Sequence, residues 1–230
     1  MKVVVEELDG KFGIEFGGPS DLFNDRLLKV NGKSFYDYVT LDGGNIFDNN
    51  VFQKNLNNKF IYNNKVGTQY NIDCVNVDKI EKKYDFILTS HVIEHIANPI
   101  KVIKKWSNLL NDDGYIFCII PDYRYCFDKD REETTIDHLI EDFMNSVDEK
   151  DDNHFYDNLN NKNHPWRNNP NWKELCLNNI DTRVMHHHTF TEHTVKKMFE
   201  YCGYDVIENI FIEPYQIINL SKKTKKNDTN

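Results

Sequence analysis

The stretch from Tyr84 to Pro121, YDFILTSHVIEHIANPIKVIKKWSNLLNDDGYIFCIIP, constrains the fold more than any other, because it spells a strand, a polar turn, a helix and another strand in succession. Phe86, Ile87 and Leu88 form a short unbroken apolar run, the pattern of a strand covered on both faces. Such strands belong to parallel sheets, and open parallel sheets bind their ligands beyond the carboxyl ends of the strands. Ser90 and His91 fall at that end, with Glu94 and His95 close behind. Asn98 is a natural N-cap and Pro99 suits the first helical position. Ile100, Ile103, Trp106 and Leu110 then recur at roughly helical spacing, and Asn111 to Gly114 stop the helix before a strand from Tyr115 to Ile120.

The same alternation runs through the rest of the chain. Lys11 to Phe16 reads as a strand leading into Gly17-Gly18-Pro19-Ser20, and Phe35 to Leu41 as a second ending at Asp42-Gly43-Gly44-Asn45. The Asn-rich segment from Phe47 to Asn64 reads as irregular, and Gln69 to Asp73 as a third strand. Thr189-Phe190-Thr191-Glu192 has capping-box spacing; Val195, Met198, Phe199 and Cys202 follow as a helical stripe ended by Gly203. Strands from Asp205 to Ile212 and from Tyr215 to Leu220 close the pattern, with a frayed tail over 223–230.

Composition narrows the function. A chain of 230 residues, 39% hydrophobic, buries one substantial core, so one domain over 1–222 with an insertion at about 122–188 is the economical reading. A net charge of −9 argues against a nucleic-acid partner, whose backbone is gripped by Lys and Arg. The five cysteines are scattered without a Cys-x-x-Cys pair, which fits a reducing cytoplasm rather than a disulfide framework. No apolar run approaches the roughly 18 to 20 residues that span a bilayer, so no membrane association is expected.

The runs FGIEFGGPS and DFILTSHVIEHIANPIKVIKKWSNLLNDDGYIFCIIPD resemble, in order and spacing, a class I S-adenosylmethionine-dependent methyltransferase of the small-molecule, type 11-like kind. The resemblance extends from about Lys11 to about Lys222, with an unfamiliar stretch between roughly Asp122 and Val184. It implies a Rossmann-like α/β fold: a seven-stranded, mostly parallel sheet, helices on both faces and a lid insertion after strand five. It also implies S-adenosyl-L-methionine as cofactor and S-adenosyl-L-homocysteine as product. By the resemblance, Glu15, Gly17 and Gly18 face the methionine part, Asp42 the ribose hydroxyls, Asp73 and Cys74 the adenine, and Ser90 and His91 the reacting methyl group. Gly-Gly-Pro-Ser departs from the commoner Gly-x-Gly-x-Gly turn. A plain β-turn at Gly17, an Asp-Gly turn at Asp42 and an N-cap at Asp73 are the structural alternatives.

His91-Val92-Ile93-Glu94-His95 also spells the His-x-x-Glu-His of inverted zinc peptidases. It follows directly on a buried strand, and Asn98-Pro99 opens a new helix soon after, which leaves little helix to hold both histidines on one face. A zinc-dependent hydrolase using His91 and His95 therefore ranks behind the methyltransferase, as does a non-catalytic S-adenosylmethionine-binding partner subunit. Methyl displacement itself needs no metal.

The insertion carries Asp122, Tyr123, Arg124, Arg131 and His138, candidate binders of a small-molecule acceptor, and a helix predicted over Thr135 to Met144. Relatives with the GGPS turn and the FDKDREETTIDHLIEDF pattern resemble enzymes encoded among surface-polysaccharide genes. That resemblance implies a sugar, nucleotide-sugar or phosphorylated or phosphoramidate glycan precursor, its anion held by Arg124, Arg131 and Arg167. In His186-His187-His188, alternate residues of an extended segment share a face, so His186 and His188 are expected together. One of them, or His91, serves as general base; a metal would need a third ligand such as Asp122 or His138; or His188 bonds backbone near a helix start.

Overall fold

The computed structural model describes residues 8, 10–18, 20, 23, 35–40, 59–62 and 65–224. Asp42, the expected ribose ligand, lies outside them. The strands are β1 (Phe12–Phe16), β2 (Phe35–Thr40), β3 (Lys59–Tyr62), β4 (Lys65–Asn71), β5 (Tyr84–Ser90), β6 (Leu110–Pro121), β7 (Tyr204–Ile212) and β8 (Gln216–Lys223). They form one eight-stranded sheet in the order β3-β4-β2-β1-β5-β6-β8-β7. β3 and β8 run against the others. The expected mostly parallel α/β sheet is present, with eight strands among the described residues where seven were expected: β3 pairs antiparallel with β4 inside the segment read as irregular, where Asn-rich composition masks the alternation.

Helices connect the strands: α1 (Pro99–Ser107), α2 (Ile136–Met144), α3 (Phe155–Asn160), α4 (Trp172–Leu177), α5 (Asn179–Thr182) and α6 (Glu192–Tyr201). Asn98 caps α1 by accepting from the Lys101 N–H, with Pro99 at the first position, as its sequence predicts. Thr135 caps α2. At α6 the cap is Thr191 rather than Thr189, because Thr189 is drawn away into paired hydrogen bonds with Thr134.

The two-residue period of the strands sorts the core onto opposite faces of the sheet. On one side Ile14, Phe16, Ile87, Ile116, Cys118 and Ile120 pack with Ile100, Ile103 and Trp106 of α1 and Val195, Met198 and Phe199 of α6. On the other, Phe86, Leu88, Phe117 and Ile119 pack with Leu8, Phe23 and Leu220. β5 is thus buried on both faces, as its apolar run requires. A separate cluster of Phe155, Trp172, Cys176, Val184 and Met185 holds the segment between β6 and α6 together. The end of β8 is anchored rather than frayed: Lys223 Nζ donates to the Ser107 and Leu110 carbonyls, and Thr224 to Gly203.

Candidate active site

The strand order reverses at β1. The chain proceeds outward through β2 and β4, then returns to place β5 on the other side of β1. A crevice opens at such a switch point beyond the carboxyl ends of the two central strands. Phe16 pairs with Thr89 across β1 and β5, so Gly17 and Ser90 leave the sheet at the same level. Gly17 adopts φ +76°, and a Cβ there would lie 2.4 Å from Val92 Cγ2. The β1 turn and the β5 turn therefore touch, and glycine is what lets the backbone bend and approach this closely. His91 completes the mouth with φ 54°, unusual for a side chain of this kind, its N–H bonded to the Ile119 carbonyl at 2.9 Å.

Glu15 lies beneath the β1 turn, fully buried. Its Oε1 accepts from the Ser20 N–H at 2.7 Å, closing the loop, while Oε2 has no hydrogen-bond partner among the described residues. Gly18 leaves room for this carboxylate, since a Cβ would sit 2.1 Å from Glu15 Cδ. Burial pushes the Glu15 carboxyl up to about 8 from an ordinary 4.5, against the pull of the Ser20 hydrogen bond. The folded state then holds a proton that the unfolded state has released, so stability falls as pH rises from about 4.5 to about 8 and levels off above. Glu15→Gln keeps the acceptor for Ser20 and removes the titration. Its thermal midpoint is expected to gain on wild type across that window, by up to about 1.4 kcal/mol of stability per pH unit. Parallel pH curves for the two proteins would show that Glu15 is ionised throughout.

At the end of β4, Asp73 accepts from the Val75 N–H at 3.1 Å and pairs with Arg183, whose other nitrogen pairs with Glu149. The carboxylate expected to face adenine is thus shared with an arginine from the far end of the insertion. Cys74 contributes its carbonyl to Trp106 Nε1 at 2.8 Å. Neither Arg183 nor Glu149 stands out in the sequence, as both are ordinary charged residues far from Asp73 along the chain.

The β5 turn gathers the histidines. His91 Nδ1 stands 3.4 Å from Glu94 Oε1, and its side chain is 31% exposed while that of Glu94 is 1% exposed. Burial opposes the Glu94 charge, yet His91, with His95 and His186 behind it, holds the carboxyl below the usual range. His95 is pushed down to about 4, mainly by burial and then by His186. His186 and His188 do not meet at one site. His186 Nδ1 lies 2.6 Å from Asp128 Oδ2 and its ring packs on His95. His188 Nε2 donates to the Ala97 carbonyl at 3.1 Å, and its ring joins His138 and His154. Of the expected bases, His91 alone combines exposure with a place at the crevice; His188 is fully buried against backbone beside the start of α1.

The candidate acceptor binders are largely committed to one another. Asp122 is buried and caps the turn over Tyr123–Tyr125; it accepts from Arg124 Nε at 2.9 Å, and Arg124 also reaches Glu192 at 3.1 Å. That pairing removes Asp122 as the third ligand of a His186–His188 metal site. Arg131 pairs with Asp128 at 3.1 Å and donates to the His187 carbonyl, so its charge is neutralised inside the fold instead of being offered to an acceptor anion. His138 faces Asp142 and His154, each at 3.3 Å. Tyr123 is half-buried beside this edge, its N–H bonded to the Phe190 carbonyl.

A family model described as a methyltransferase domain matches residues 7–209. No curated protein matches the chain in sequence. Among solved structures, the fold is similar to a SAM-dependent methyltransferase from Aquifex aeolicus, with a TM-score of 0.54 and 13% identity over 97% of this chain and 88% of that one. It is similar also to human N-acetylserotonin methyltransferase in complex with SAM, at 0.52 and 9% over 97% and 50%. An O-methyltransferase family 2 protein from Planctomyces limnophilus in complex with apigenin gives 0.52 and 10% over 94% and 50%. The chain spans about half the length of these last two.

Proposed function

Since the chain belongs to the methyltransferase-domain family, and so is an enzyme of the S-adenosylmethionine-dependent class I kind, we propose that it transfers the sulfonium methyl to an oxygen, or a nitrogen, of a small polar acceptor. The observation that carries this reading is the contact of the glycine turn after β1 with the Ser90–His91 turn after β5, at the point where the strand order reverses. The cofactor would rest on Gly17 and Gly18, with Asp73 and Cys74 at the end of β4 beside the adenine and Asp42 toward the ribose. Ser90 and His91 would then face the methyl group.

Bound there, S-adenosylmethionine would supply an electrophilic methyl for in-line attack by the acceptor's lone pair, its sulfur keeping the electrons of the broken carbon–sulfur bond as S-adenosylhomocysteine is formed. An acceptor hydroxyl would give up its proton, and the exposure of His91 at the β5 turn supports it as the base. The chain's own task is alignment of two reactants and exclusion of water, effects worth several kcal/mol of barrier. The segment from Asp122 to His188 would close over the acceptor, and its many Asp, Asn and His side chains suit a hydroxylated acceptor such as a sugar or a nucleotide-sugar. O-methyl transfer is also the chemistry named for the P. limnophilus protein.

Calorimetric titration of the purified protein with S-adenosylhomocysteine tests the cofactor site before any acceptor is known. One equivalent of saturable binding is expected. A folded protein that binds neither S-adenosylhomocysteine nor S-adenosylmethionine would end this reading, and a protein that binds both but methylates no member of a broad acceptor panel would favour a binding subunit instead.

A further inference from the structure

We propose that Glu94, His95 and His186 form a binding site for one divalent first-row transition-metal ion, zinc-like in its ligand preference, at the carboxyl end of β5. One ligand atom from each of the three lies within 4.8 Å of the others. The rings are held as metal-ligating histidines are held. His95 Nδ1 is 3.0 Å from the Met185 carbonyl, which can only accept, so that nitrogen carries the proton and Nε2 is the atom that would ligate. His186 Nδ1 lies 2.6 Å from Asp128 Oδ2, the carboxylate–histidine arrangement that fixes a ligand's tautomer and orientation.

Glu94 supplies the independent observation. It is 1% exposed, and neither carboxylate oxygen has a hydrogen-bond partner among the described residues. His91 Nδ1 stands 3.4 Å from Oε1 as an ion-pair partner. A buried carboxylate whose compensation is a half-exposed imidazole at 3.4 Å and no hydrogen bond remains costly, and a cation among these three ligands would offset that cost. Two imidazoles and one carboxylate favour zinc, manganese, iron or cobalt over magnesium and calcium, which prefer oxygen. Three protein ligands leave coordination positions open, the pattern of a catalytic rather than a structural ion. On the methyl-transfer reading, an acceptor whose oxygen can ligate the ion would fill one of them, beside His91; this role rests on the proposed function, whereas the site itself does not.

A second histidine group, His138, His154 and His188, satisfies the same distance limit. There His138 Nε2 and His154 Nε2 face each other at 3.3 Å and His188 Nε2 donates to the Ala97 carbonyl, while His188 Nδ1 has no hydrogen-bond partner among the described residues. Unlike the first group it brings no carboxylate among its three members, and His138→Ala tells the two apart.

The test is titration of the metal-stripped, full-length protein with Zn²⁺ by calorimetry and with Co²⁺ by visible absorption. Wild type is expected to take up one equivalent, with cobalt bands of a nitrogen–oxygen site. Glu94→Gln should lose that equivalent, and Asp128→Asn, which reaches the ion through His186 and also weakens the Arg131 pair, should weaken it about 10- to 100-fold. His138→Ala should leave it unchanged. No stoichiometric uptake by folded wild type, or uptake lost in His138→Ala and retained in Glu94→Gln, would overturn the proposal. S-adenosylhomocysteine titrated into the same samples keeps the two readings apart: metal bound without cofactor supports this site while overturning the methyl-transfer reading of its neighbour.

Discussion

Gly17→Arg is expected to abolish measurable S-adenosylhomocysteine binding, a loss of at least about 100-fold, and Gly17→Ala to weaken it by about 10-fold. Two independent penalties act at this position. The residue sits at φ +76°, where an L side chain costs roughly 1–2 kcal/mol, each 1.4 kcal/mol being a factor of ten. Any Cβ would also lie 2.4 Å from Val92 Cγ2, so the β1 turn must move away from the β5 turn to admit it. Alanine pays both penalties but can be absorbed by a small shift of Val92. Arginine adds a long side chain at an exposed point beside the crevice, where it fills space assigned to the cofactor. Because Gly17 is exposed and outside the core clusters, both variants should fold, which circular dichroism and the thermal midpoint verify. Wild-type affinity in folded Gly17→Arg would move the cofactor away from the β1 turn.

Much of this architecture is legible in the residues themselves. The apolar run at Phe86–Leu88 announces a strand buried on both faces, and Asn98-Pro99 marks the start of α1 to the residue, because these signals act over a few positions and depend on nothing distant. The β1 and β5 turns are legible for the same reason. What cannot be read is pairing across long separations. Arg131 reads as a free cation until Asp128 and the His187 carbonyl are seen to hold it. Thr189 fits the spacing of a cap, but its hydroxyl is claimed by Thr134 and Glu132, and Thr191 takes the role. His186 and His188 fit the alternation of an extended segment, yet each is drawn to a different partner set. His-x-x-Glu-His does fail as a helical zinc motif, as its flanks imply: only a short turn over Ile93–His95 forms. The residue that joins Glu94 and His95, His186, comes from the far end of the insertion, and no local pattern pairs it with them.

Trp106→Ala is expected to cost about 3–5 kcal/mol, with the thermal midpoint falling on the order of 10 °C, and to weaken S-adenosylhomocysteine binding as well. The indole is fully buried on the core-facing side of α1. It stacks on Phe16, the last residue of β1, with ring centroids 4.4 Å apart and planes 6° from parallel. Its Nε1 donates to the Cys74 carbonyl just past β4 at 2.8 Å. One side chain from the helix after β5 therefore braces the ends of two strands that carry the proposed methionine and adenine contacts. Truncation opens a cavity under Phe16 and leaves the Cys74 carbonyl without its donor, so stability and cofactor affinity should fall together. Trp106→Phe separates the contributions: it retains much of the stack and loses only the donor, at about 1 kcal/mol, with affinity nearly unchanged. If Trp106→Ala lowers the midpoint yet binds S-adenosylhomocysteine as wild type does, the two strand ends do not depend on the indole for their spacing, and the loops must be positioned by the sheet alone.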